Sequence, residues 1–112
     1  MSYNRYSFFS FSLSDKDIDG CLDSRVIQKL KNLNVLDISQ NNITEIPELL
    51  QLPNLETLDC SYNNLQSLQF LNNFKNCKQL YIDGNDSIEV SYRSYSNTAV
   101  LMTSTGPPAQ DQ

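Results

Sequence analysis

The chain has 112 residues, enough for one domain and too few for two ordinary ones. Hydrophobic residues make up 39% and charged residues 19%, a globular rather than disordered composition, and thirteen asparagines point to many turns. The net charge is −5, and the basic residues Arg5, Lys16, Arg25, Lys29, Lys31, Lys75, Lys78 and Arg93 are dispersed, so nothing is gathered to neutralise a phosphate backbone and no nucleic-acid partner is expected.

The amino terminus, MSYNRYSFFSFSLSDKD, holds aromatics interrupted by serines and no apolar stretch of about 7–15 residues, so it does not read as a secretory leader. No run of about 18 apolar residues follows, so no membrane span and no membrane partner are predicted. The expected compartment is the cytoplasm, where three cysteines stay reduced.

Phe8, Phe11, Leu13, Lys16, Ile18 and Cys21 open a pattern that returns in the next unit at Leu33. The segment CLDSRVIQKLKNL, residues 21–33, places Leu22, Val26 and Leu30 at four-residue spacing behind Asp23 or Ser24 as a helix cap, and is expected to be the most helical segment. LNVLDISQNNITEI, residues 33–46, then returns as LETLDCSYNNLQSL, residues 55–68, and a further copy begins at CKQLYIDGND, residues 77–86. The columns run Leu33/Leu55/Cys77, Leu36/Leu58/Leu80, Ile38/Cys60/Ile82, Asn41/Asn63/Asn85 and Ile46/Leu68/Val90, extended by Leu49/Leu71 and Leu52/Phe74. In the column Ile43/Leu65 the copy starting at Cys77 has Ser87, its apolar residue being displaced to Ile88. Lys16 replaces the asparagine in the first copy, as suits a terminal unit.

Each unit reads as a short strand, a tight turn and a return limb with apolar residues every three or four positions. One such coil cannot bury its apolar side alone, but a stack can. The asparagine column has a mechanism: an amide directed into the turn can bond backbone groups that the bend leaves unpaired, coil after coil.

The spacing LxxLxLxxNxL at residues 33–43 and 55–65 resembles the leucine-rich repeat pattern, in the 22-residue class found in phosphatase-regulatory subunits and internalins. The resemblance implies an α/β fold: a short right-handed solenoid of about four coils, with a concave parallel β-sheet and an irregular or helical convex side. The repeat domain is expected over residues 1–90, with units starting near 8, 33, 55 and 77. An alternation at Ile88, Val90 and Tyr92 leads into residues 91–102, read as an irregular cap, and residues 103–112 are read as a disordered tail.

Catalytic chemistry finds little footing. Cys60 has no histidine anywhere in the chain to activate it and has Asp59 beside it, so it reads as a small buried hydrophobe, like Cys21 and Cys77 in other apolar columns. Asp15, Asp17, Asp19 and Gly20 match the opening of a calcium loop, but its twelfth position carries Val26 instead of a bidentate glutamate. The acceptor patterns NIT at 42–44 and NDS at 85–87 are read as chance, Asn85 belonging to the turn column. Three scattered glycines build no phosphate loop, and zinc would find no histidine and no paired cysteines. No enzyme, metal or cofactor is expected.

A surface is left. If the apolar columns point inward, Val35, Asp37, Ser39 and Gln40, then Thr57, Asp59, Ser61 and Tyr62, then Gln79, Tyr81, Asp83 and Gly84 face the concave side. Asp37 and Asp59 would stack about 4.8 Å apart, and with Asp83 they would make an acidic face carrying Tyr62 and Tyr81, suited to a protein partner with a Lys- or Arg-bearing segment. The expected function is a non-catalytic protein–protein interaction module, either a monomer or part of a longer repeat array. The alternative is an accessory repeat fragment of a larger signalling, regulatory or effector protein, for which a secreted route is also open.

Overall fold

The computed structural model describes residues 9–89 and 101–103. In chain order the elements are β1 (Ser10–Ser12), β2 (Asp19–Cys21), α1 (Ser24–Ile27), β3 (Val35–Asp37), β4 (Asn42–Glu45), β5 (Thr57–Asp59), a 3-10 helix (Gln69–Asn73), β6 (Gln79–Tyr81), α2 (Asp86–Glu89) and β7 (Leu101–Thr103). Strands β1, β3, β5, β6 and β7 form one parallel sheet in that order, each beside the next in sequence. The register joins Phe11, Leu36, Leu58, Leu80 and Met102 in a single row. A repeat that returns to its starting point each time leaves its strands no other neighbour.

The period-two pleat decides which residues enter the core. Leu36, Leu58 and Leu80 point inward and are buried, while Val35, Asp37, Thr57 and Asp59 on the other side are half-buried. The return limbs close over this row with Ile43, Leu50, Leu52, Leu65, Leu68 and Phe74. Phe70 and Phe74 pack with ring centroids 6.3 Å apart, tilted by 53°, in the third unit's limb.

The asparagine column ties each turn to the one before it. Asn63 Nδ2 donates to the carbonyls of Ile38 at 2.9 Å, Cys60 at 3.1 Å and Ser61 at 3.2 Å, while its Oδ1 accepts from the Ile43 N–H at 2.9 Å. Asn41 and Asn85 repeat the scheme, Asn41 Oδ1 accepting from the Lys16 and Ile18 N–H groups and Asn85 Oδ1 from the Leu65 N–H. The amide supplies both a donor and an acceptor, which is why asparagine occupies the column. Asn85 is wholly buried with both ends of its amide engaged, so the NDS sequence at 85–87 holds no accessible acceptor, whereas Asn42 on β4 is exposed.

Several columns need correction. Cys21 is exposed, and Leu22 takes its place in the core. In the first unit β1 pairs with β3 so that Ser10 meets Val35, but β2 pairs with β4 at a shorter sequence offset, Asp19 meeting Asn42, with an irregularity between Gly20 and Cys21. That shift, at a glycine with φ +70, carries Leu22 into the row of Ile46. Val26 is exposed and Ile27 buried, because α1 is a single turn capped by Asp23 and Leu22 lies outside it. Leu49 is 84% exposed and Leu50 is buried: a tight turn from Pro47, closed by the Leu50 N–H on the Pro47 carbonyl at 3.1 Å, brings the second leucine inward.

The helix expected over 21–33 is therefore only Ser24–Ile27, no longer than α2. Its cap is as expected: the Asp23 carboxylate accepts from the Arg25 N–H and guanidinium, which hold its pKa down at about 2. Ile88 fills the column left by Ser87, but on α2 rather than at the head of an alternating strand. The cap expected over 91–102 lies outside the described residues except at its end, where Leu101–Thr103 continue the sheet as β7. The repeat's step thus runs one strand further than expected, because a three-residue strand needs only Met102 in the row. Of the tail expected over 103–112, Thr103 is instead the last residue of β7, and the rest lies outside the described residues, as does Phe8.

Candidate functional site

The outer side of the five-stranded sheet carries the residues singled out from the sequence. Parallel pairing sets Val35 beside Thr57 and Thr57 beside Gln79, then Asp37 beside Asp59 and Asp59 beside Tyr81. Thr57 Oγ1 lies 3.2 Å from Gln79 Oε1, linking the first row across two strands. Asp83 does not continue the aspartate row; Tyr81 does, and Asp83 follows Ser39 and Ser61 one row on. Gln40, Tyr62 and Gln79 are exposed, and Val35, Asp37, Thr57, Asp59, Tyr81 and Asp83 are half-buried.

Ser39 and Ser61 do not belong to the exposed face, being 5% and 9% accessible. Each is drawn in by the aspartate two residues before it. Asp37 Oδ1 accepts from the Ser39 N–H at 2.9 Å and its hydroxyl at 2.6 Å, and Asp59 Oδ1 does the same for Ser61 at 3.1 and 2.6 Å. These local bonds fix the bend that ends each strand. One oxygen of each carboxylate is thereby committed to structure, while Oδ2 of each has no hydrogen-bond partner among the described residues.

The residue after Ser39, Ser61 and Asp83 turns left-handed: φ is 58° at Gln40, 56° at Tyr62 and 76° at Gly84. The Tyr62 N–H bonds the Asp83 carbonyl of the next unit, as that of Gln40 bonds Ser61. Gly84 matters for what stands over it. A Cβ there would run into the Tyr62 ring and lie 3.0 Å from its Cα, so the missing side chain of Gly84 is the seat of the tyrosine. Tyr62 is consequently held against the face while 58% of it stays exposed. Gly84→Ala should displace the ring and cost about 1–2 kcal/mol through the left-handed backbone alone; a urea melt matching wild type would contradict this. Sequence reasoning placed Gly84 on the face without its role, and no column pattern could have revealed it.

Nucleophile chemistry is unsupported at Cys60. Burial pushes its thiol pKa up, and the negative charge of Asp59 adds to the effect; its Sγ donates to the Tyr81 carbonyl at 3.4 Å. Burial also raises Cys77, to about 11. Only the thiolate reacts at useful rates. Native protein treated with a thiol reagent should therefore label quickly at Cys21 alone, with Cys60 and Cys77 following only on unfolding; prompt native labelling of Cys60 would reopen the question of catalysis. Among the described residues, no group of three His, Cys, Asp or Glu side chains is arranged to hold a metal ion, Asp15, Asp17 and Asp19 included. No helix among the described residues is long and apolar enough to cross a membrane.

Residues 31–73 match the family model described as leucine-rich repeats, two copies. No curated protein matches the chain.

Proposed function

We propose that the chain, a leucine-rich repeat protein, is a non-catalytic module that binds a protein partner through the outer, concave side of its sheet. Leucine-rich repeat domains generally mediate protein–protein interaction. The observation that carries the reading is Tyr62: a large aromatic held in place by the glycine beneath it yet mostly exposed, the arrangement from which interface anchors are made. Around it, Tyr81, Gln40, Gln79, Val35 and Thr57 offer a graded apolar and polar surface.

The Asp37 and Asp59 oxygens left without a partner among the described residues, with Asp83 beyond them, favour a partner segment bearing Lys or Arg, since a cation relieves the repulsion of two carboxylates in adjacent strands. In this reading the module works in the cytoplasm, where its three free thiols stay reduced. Immobilised wild type should recover a partner that Tyr62→Ala/Gln79→Ala loses. These positions are chosen because Asp37 and Asp59 also hold the turns, so their replacement would confound binding with folding. Equal recovery by both proteins would remove the concave-face reading.

A further inference from the structure

On the side away from the sheet's outer face, the return limbs of three successive units enclose a groove of about 460 Å³. Its walls carry Lys31 from the first limb, Leu49 from the second and Lys75 from the third. Among the described residues no carboxylate lines it, although the chain has thirteen acidic residues against eight basic ones. Glu45 and Glu48 line a different groove, between the second and third limbs. Among the described residues, the ion pair formed is Arg25 with Asp23, and neither Lys31 nor Lys75 has a carboxylate within bonding range.

The walls are built rather than loose. Gln28 and Gln51 exchange bonds, Gln28 Nε2 donating to the Gln51 carbonyl at 3.2 Å and the Gln51 N–H to Gln28 Oε1 at 3.1 Å. Asn73 Nδ2 donates to the Glu48 carbonyl at 2.7 Å, and Asn76 Nδ2 to the Pro53 carbonyl at 2.6 Å. These side-chain-to-backbone bonds bridge consecutive limbs, so a partner would meet a preformed surface with less side-chain freedom to lose. Leu49 stands within it 84% exposed, because the Pro47 turn has given the core position to Leu50. A single exposed leucine means little. One set in a bonded groove, with an ammonium on the limb either side that pairs with no carboxylate among the described residues, has a definite chemical complement.

We propose that this groove is a second docking site, taking an acidic peptide segment that places an apolar side chain on Leu49 between carboxylates directed at Lys31 and Lys75. The site is independent of the sheet's outer face and opposite to it in charge. A protein with both would bridge a basic and an acidic partner.

The test uses the full chain and a fluorescein-labelled synthetic peptide of repeating Glu-Leu-Glu units, with a matched Lys-Leu-Lys peptide, read by fluorescence anisotropy. The acidic peptide should bind saturably, more weakly as salt rises, and the basic peptide should not bind this groove. Lys31→Glu/Lys75→Glu should weaken binding by about fivefold or more, and Leu49→Ser should also weaken it, whereas Tyr62→Ala should bind as wild type. All three groove positions are exposed, so the variants should melt with wild type by circular dichroism. The proposal is overturned if no saturable binding occurs, if the groove variants bind unchanged, or if Tyr62→Ala abolishes binding. Self-association of the chain that Leu49→Ser abolishes, without peptide binding, would give the groove to a second copy and equally overturn it.

Discussion

Leu58→Ala should destabilise the protein by about 2–5 kcal/mol, read as a fall in the urea midpoint at unchanged slope. Leu58 sits in the middle of β5, wholly buried, with Leu36 and Leu80 beside it in the neighbouring strands. Truncation removes contacts on both sides at once and leaves a cavity that strands pinned in the sheet cannot collapse to fill. The comparison is Leu49→Ala, the same change at an exposed residue, where the shift should stay within about 0.5 kcal/mol. Both leucines fit the repeat columns, so comparable losses would mean that the limb turn at Pro47 is not placed as described.

Asn63→Ala should cost about 1–3 kcal/mol, the range for one unsatisfied buried backbone group. It strands the Ile43 N–H and withdraws one donor from the Ile38, Cys60 and Ser61 carbonyls, which keep those of Asn41 Nδ2, Asn85 Nδ2 and the Gln40 N–H. Asn63→Asp separates hydrogen bonding from packing. The shape is kept but the amide donor is lost and three carbonyls face a carboxylate, so it should be at least as damaging as alanine. The neighbouring Asn64, exposed and with its side chain bonded only to Gln66 among the described residues, should tolerate alanine within about 0.5 kcal/mol. If Asn63 and Asn64 behaved alike in urea melts, the asparagine column would not be what joins the units.

What the sequence disclosed followed from strict periodicity. Leu36, Leu58 and Leu80, Cys60 in the place of Ile38 and Ile82, and the three asparagines are fixed by the repeat's register, and each lies where that register puts it. Reading failed where the chain leaves the register. Cys21 is displaced by the irregular pairing at Gly20, Leu49 by the Pro47 turn, and Val26 by the shortness of α1. Each is a local backbone event that column matching does not see.

The candidate face was legible as a set of alternating positions but not in its working parts. That Ser39 and Ser61 are drawn inward by Asp37 and Asp59 depends on short-range hydrogen bonds within one bend, and that Gly84 seats Tyr62 depends on successive units coming into contact. β7 was missed because three residues suffice to extend a parallel sheet, and a single apolar residue, Met102, is weak as a pattern.

The central claim, recognition through the outer side of the sheet, is tested most directly by site-specific photo-cross-linking. A photoreactive residue placed at Gln79, exposed on that side, should trap a partner, and one at Ser67, exposed on the limb between β5 and the 3-10 helix and outside the second groove, should not. Trapping from Ser67 with none from Gln79 would contradict the account.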